Sequence, residues 1–100
     1  MNIDMIEVIE NNIKFVIFPK KEKVLIKGNY YPISKEKIDE LIRIIRTWDS
    51  EYDTSGYLDG NYFEVNVYYD GKVDRMRGKR GMPNNYEEFA NYVRSIYVRD

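Results

Sequence analysis

Apolar and polar positions follow two rhythms along this chain. From Tyr62 to Tyr69 the character changes at every residue: Phe63, Val65, Val67 and Tyr69 fall on one side, Tyr62, Glu64, Asn66 and Tyr68 on the other. A period of two in β-branched and aromatic residues predicts a half-buried strand. Asp70-Gly71 follows, a pair that accepts the positive φ angles of a type I′ hairpin turn. A loop of those two residues sets Tyr69 opposite Lys72, Val65 opposite Met76, Glu64 opposite Arg77 and Asn66 opposite Arg75. It also puts Asp74 beside Val67 on the apolar side, a conflict that a longer loop or an early strand end would relieve.

Helical spacing replaces alternation in two places. Ile38, Leu41, Ile42, Ile45 and Trp48 share one helical face. Ser34 precedes them as an N-cap, but Lys37 stands where a capping box needs Glu or Gln. Near the end, Asn85 with Glu88 three residues later fits a capping box, and Phe89, Tyr92 or Val93, and Ile96 form the buried stripe. The first third is strand-like. Asn2–Glu10 is a strand, with a short helix as the alternative. Asn11-Asn12 is a turn, and Ile13–Phe18 is a strand ended by Pro19. Lys20–Lys23 is a charged turn, Val24–Lys27 a strand, and Gly28-Asn29 a tight turn. Tyr30–Ile33 is a short strand placed at an edge by Pro32. Asp49–Asp59 is predominantly polar and reads as a loop.

The expected fold class is α+β: one domain over residues 1–100, an antiparallel sheet of four to six strands with two helices packed on one face. The expected core is Val16, Phe18, Leu25, Ile38, Leu41, Ile42, Ile45, Trp48, Phe63, Val65, Val67, Phe89, Val93 and Ile96.

Composition narrows the chemistry. The chain has no cysteine and no histidine. That excludes disulfides, thiol catalysis, Ser-His and Cys-His pairs, and zinc sites built on those ligands. Lack of cysteine suits a cytoplasmic protein, and lack of any long apolar run predicts no membrane partner; no cofactor is expected. Net charge is −1, so generic nucleic-acid binding is not expected. Charge is nevertheless polarised. Residues 72–81 carry Lys72, Arg75, Arg77, Lys79 and Arg80 against Asp74, whereas residues 35–59 have more acids than bases. Asp49, Glu51 and Asp53 hint at calcium, but Thr54 stands where the EF-hand glycine belongs and Gly60 where its bidentate acid belongs. No metal site is assigned.

Two candidate binding features remain. Arg77-Gly78-Lys79-Arg80-Gly81 sets two glycines around two cations, a composition suited to a turn whose N–H groups cradle an anion, or simply to a solvated basic turn. Ten tyrosines are the second feature. Tyr62 and Tyr68 share a strand face with Asn66, Arg75 and Arg77, where they could stack an aromatic ligand or line a protein interface.

The C-terminal half is similar in outline to short bacterial and phage proteins of unknown function. The shared pattern is Trp48, Tyr52, Leu58-Asp59-Gly60, the alternating Phe63–Val67 stretch, Gly81-Met82-Pro83-Asn84-Asn85-Tyr86, and Phe89. The resemblance implies structural motifs and names no catalytic residue. Small genes of that type often belong to toxin–immunity or phage–host conflict, an association that the resemblance brings with it.

Together these features predict a small non-catalytic binding protein. Its ligand would be an anionic small molecule such as a nucleotide signal, held by Arg75, Arg77, Lys79, Arg80, Asn66, Tyr62 and Tyr68. The alternative is a protein-interaction module, an immunity protein or phage inhibitor of a host protein. A metal-independent phosphodiesterase is a third reading, and homodimer formation through the strand near Tyr30 a further expectation.

Overall fold

In the computed structural model, residues 2–53, 62–79 and 82–98 are described, with residues 51–53 and 79 described by backbone alone. In chain order come β1 (Ile3–Glu10), β2 (Ile13–Phe18), a 3-10 turn (Pro19–Lys21), β3 (Lys23–Ile26), β4 (Asn29–Pro32), α1 (Lys35–Ile45), β5 (Glu51–Asp53), β6 (Tyr62–Tyr69), β7 (Lys72–Lys79) and α2 (Tyr86–Tyr97). The strands form one sheet in the order β4-β3-β2-β1-β6-β7-β5. Each neighbour from β4 to β7 is antiparallel, and short β5 joins β7 in parallel. The fold is therefore α+β, an antiparallel sheet of six strands with the parallel β5 added at its margin. That addition revises the loop expected over Asp49–Asp59, because alternation cannot be read from three residues.

Turn chemistry sets the hairpins. Asp70 and Gly71 have φ of 49° and 74°, the pair of positive angles a type I′ turn requires. The resulting register matches the expected one, including Glu64 opposite Arg77 and Asn66 opposite Arg75. Asp74 does lie opposite Val67. The conflict resolves because Asp74 is exposed and accepts a hydrogen bond from the Tyr69 hydroxyl at 3.0 Å. The β3–β4 turn is Lys27-Gly28, with φ of 49° and 81°, one residue earlier than Gly28-Asn29.

Helices and sheet share one core. Ile6 and Val8 of β1, Phe15 and Ile17 of β2, Val24 and Ile26 of β3, and Phe63, Val65 and Val67 of β6 are buried against both helices. Ile38, Leu41, Ile44 and Ile45 supply α1's face, and Phe89, Val93 and Ile96 that of α2. Trp48 packs edge-on against Phe63 and Phe89, with ring centroids 5.1 and 4.9 Å apart.

Three expected core residues lie on the other side. Val16, Phe18 and Leu25 point away from the helices, and Phe15, Ile17, Val24 and Ile26 take their places. Phe15-Val16-Ile17-Phe18 is apolar throughout, so its sequence carries no parity. Likewise Ile44 is fully buried while Ile42 is only partly so. Ser34 caps α1 as expected, accepting from the Lys37 N–H at 3.1 Å.

Candidate functional site

The helices cover one side of the sheet; no described element covers the other. Register places its side chains in rows running across the strands. One row contains Lys23, Phe18, Met5, Tyr68 and Val73. The next runs Tyr30, Leu25, Val16, Glu7, Asn66 and Arg75. A third runs Lys14, Ile9, Glu64 and Arg77. The open face thus carries Met5, Ile9, Val16, Phe18 and Leu25 on β1–β3, interspersed with Glu7, Lys14 and Lys23, and is mostly polar across β6 and β7.

The polar half is a connected network. Arg75 Nε donates to Asn66 Oδ1 at 2.9 Å. The Asn66 amide donates to Glu64 Oε2 at 2.8 Å and to Glu7 Oε1 at 3.3 Å. Tyr62 donates its hydroxyl to Glu64 Oε1, and Tyr68 donates to Glu7 Oε1 at 2.7 Å. Arg75 also lies 3.8 Å from Glu64 Oε2. Asn66 is buried at the hub, which is affordable because its amide oxygen and nitrogen are both bonded.

Electrostatics follow from these bonds. The Tyr62 hydroxyl and the Asn66 amide, helped by the Arg75 and Arg77 charges, hold the Glu64 carboxyl below its ordinary value despite burial. The same bond raises Tyr62 above the usual phenol value, and the bond to Glu7 raises Tyr68. Phenols pushed upward stay protonated at neutral pH. They suit hydrogen bonding rather than nucleophilic attack.

The structure thus gathers Tyr62, Asn66, Tyr68, Arg75 and Arg77 on one face, as the alternation implied. Over Arg77–Lys79, the described part of the Arg77–Gly81 stretch expected to cradle an anion, the backbone is a strand and not a turn. Arg77, Gly78 and Lys79 belong to β7, with β6 on one side and β5 on the other. The Arg77 N–H is bonded to Ser50 O at 3.0 Å, and Gly78 is a buried residue opposite Phe63. A strand flanked on both sides uses its N–H groups in the ladder and has none to offer an anion. Arg80 and Gly81, and the side chain of Lys79, lie outside the described residues.

Glu7 was missed because β1 meets β6 across a separation no local pattern reveals. So was a mainly apolar cleft of about 420 Å³ on the helix side. Ile42, Ile45, Trp48, Val67 and Met76 supply its apolar lining, with Arg46 and Asp74 at its rim, between the end of α1 and the outer edge of β7. No helix among the described residues is long and apolar enough to cross a membrane. Comparison with protein-family models, curated proteins and solved structures yields no match.

Proposed function

We propose that the protein is a non-catalytic interaction module and that the open face of its sheet docks another protein. One observation carries this reading: Glu7 and Glu64 sit among the cations of that face, beside an uncovered strip of Met5, Phe18, Val16 and Leu25. A phosphate approaching Arg75 meets the Glu64 carboxylate, 3.8 Å from the Arg75 Nε. A protein surface, by contrast, can match apolar area with apolar area and both charge signs with their opposites. Tyrosine and arginine around such a strip are the residue types that anchor protein interfaces.

The test uses a photo-crosslinking residue at Leu25, with a control at exposed Asn91 on α2. In cells that naturally express the protein, Leu25 should trap one protein partner at equal stoichiometry, and Asn91 none. With the purified pair, Leu25→Lys should weaken binding roughly tenfold or more without altering the melting temperature. If the face instead traps only a second copy, or calorimetry finds a nucleotide that binds wild type and not Arg77→Glu, the docking reading fails. The latter result would restore the anionic-ligand reading.

A further inference from the structure

We infer that the outer edge of β7 over Lys72–Met76 accepts a strand from a partner polypeptide, with a bulky apolar side chain of that strand entering the neighbouring cleft. The inference rests on the reading of this chain as a protein-binding module but uses a different surface from the open face.

Backbone direction comes first. The hairpin closes on the pair Tyr69 and Lys72 around a two-residue turn. In such a hairpin the closing pair is hydrogen-bonded, and facing pairs then alternate between bonded and non-bonded. Lys72, Asp74 and Met76 therefore direct their N–H and C=O groups inward to β6, while Val73, Arg75 and Arg77 direct theirs outward. Arg77 verifies the phase, since its N–H reaches outward to Ser50 O at 3.0 Å. Beyond that point β5 pairs with Arg77–Lys79, and no described strand pairs with Lys72–Met76 on the outer side. Val73 and Arg75 thus present ladder groups at an edge that no described strand pairs, the arrangement used in recognition by strand addition.

The opposite margin of the sheet differs. In β4 the closing pair is Ile26 and Asn29, so Tyr30 and Pro32 are the outward residues. Pro32 has no N–H to give, which blunts pairing there and weighs against a homodimer built on that strand. β7 has no proline between Lys72 and Lys79.

The cleft defines what the added strand carries. It lies on the helix side of β7, with Ile42 and Ile45 on one wall and Val67 and Met76 on the other. Its volume of about 420 Å³ falls in the range of small-ligand pockets. An added strand alternates its side chains between the two faces of the sheet. Residues on the helix side enter this apolar cleft. A residue on the other side lies next to Arg75, whose Nε is bonded to Asn66 and lies 3.8 Å from Glu64 but whose side chain is still half exposed. The fitting sequence is an extended segment with a bulky apolar residue adjacent to an acidic one. Two-fold pairing with a second copy centred on Asp74 or Arg75 would set like charges opposite one another, which destabilises a strand pair; centred on Val73 it would set Lys72 opposite Asp74, so a homodimer is the competing outcome the test must exclude.

Selection from a randomised library of peptides about six residues long, the usual strand length, tests this on the intact chain. Enriched peptides should pair a bulky apolar residue with a neighbouring Asp or Glu. Their binding should slow amide exchange at Val73 and Arg75. Val73→Pro removes an outward donor and no bond to β6, so it should weaken the selected peptide roughly tenfold or more. Ile42→Trp, which fills the cleft without touching the strand, should do the same if the proline variant fails to fold. Leu25→Lys on the open face should leave peptide affinity unchanged, which separates this site from the docking face. No enrichment, protection confined to the open face, or affinity indifferent to Val73→Pro and Ile42→Trp would each overturn the inference. So would a homodimer abolished by Val73→Pro.

Discussion

Glu10 is a carboxylate on the helix side of the sheet, only 5% exposed and surrounded by the core. Burying a charged group is costly unless it is hydrogen-bonded. Its Oε2 accepts from the Tyr86 hydroxyl at 2.5 Å and from the Asn11 amide at 2.8 Å. Tyr86→Phe keeps the ring against Phe63 and Phe89 but removes the buried donor. We expect a loss of about 1–3 kcal/mol in urea unfolding, the usual cost of leaving a buried acceptor short of a partner. A loss within error would mean that Glu10 is satisfied by other means. Asn85, immediately before Tyr86, shows why such roles escape a reading of sequence. Asn85 with Glu88 fits a capping box, yet its side chain makes no capping bond. It accepts instead from Trp48 Nε1 at 2.7 Å and donates to Ile44 O at 2.9 Å. Local spacing identified a polar residue at the right place, and a contact 37 positions away in the chain decided its bond.

At the scale of elements, the β6–β7 hairpin was legible because its information is local: alternation, an Asp-Gly turn, and a register that follows by counting. Strands β2 and β3 were legible as strands but not as to face, since apolar residues occupy both sides of each. That same ambiguity concealed the uncovered apolar strip. The network on the hairpin has a pH signature. Glu64 is held below its ordinary value, first by Tyr62 and then by Asn66. A group whose folded value is depressed adds stability that is present above its unfolded value and lost as pH falls through the folded one. The melting temperature should therefore fall on acidification through and below the ordinary carboxylate range. Glu64→Gln, measured by thermal scans at several pH values, should flatten that acid limb. An unchanged limb would show that Glu64 does not couple to folding. The side chain is 16% exposed, so solvent screening should not erase the effect.

For the whole molecule, polar ties join the helical layer to itself and to the sheet. Tyr86 of α2 reaches Glu10 of β1, Tyr92 of α2 donates to Lys37 O of α1 at 2.6 Å, and Arg43 pairs with Glu88 across the two helices. Two of these ties are phenols. Burial, joined for Tyr86 by the bond to Glu10 and for Tyr92 by the charge of Glu40, pushes both well above the ordinary value of 10.0. Below pH 10 the folded and unfolded chains both keep these protons, so the phenols contribute in full. Above it the unfolded chain ionises first, and stability declines as pH rises toward the folded values. Tyrosinate absorbance and circular dichroism followed together should show part of the titration coinciding with loss of the fold. Tyr92→Phe removes one of the two ionisations and one bond. It should cost about 0.5–1.5 kcal/mol at neutral pH and make the alkaline decline shallower. If every tyrosine titrates while the fold stays intact, these phenols do not hold the layers together. The rigid support beneath the open face and the β7 edge would then have to come from the apolar core alone.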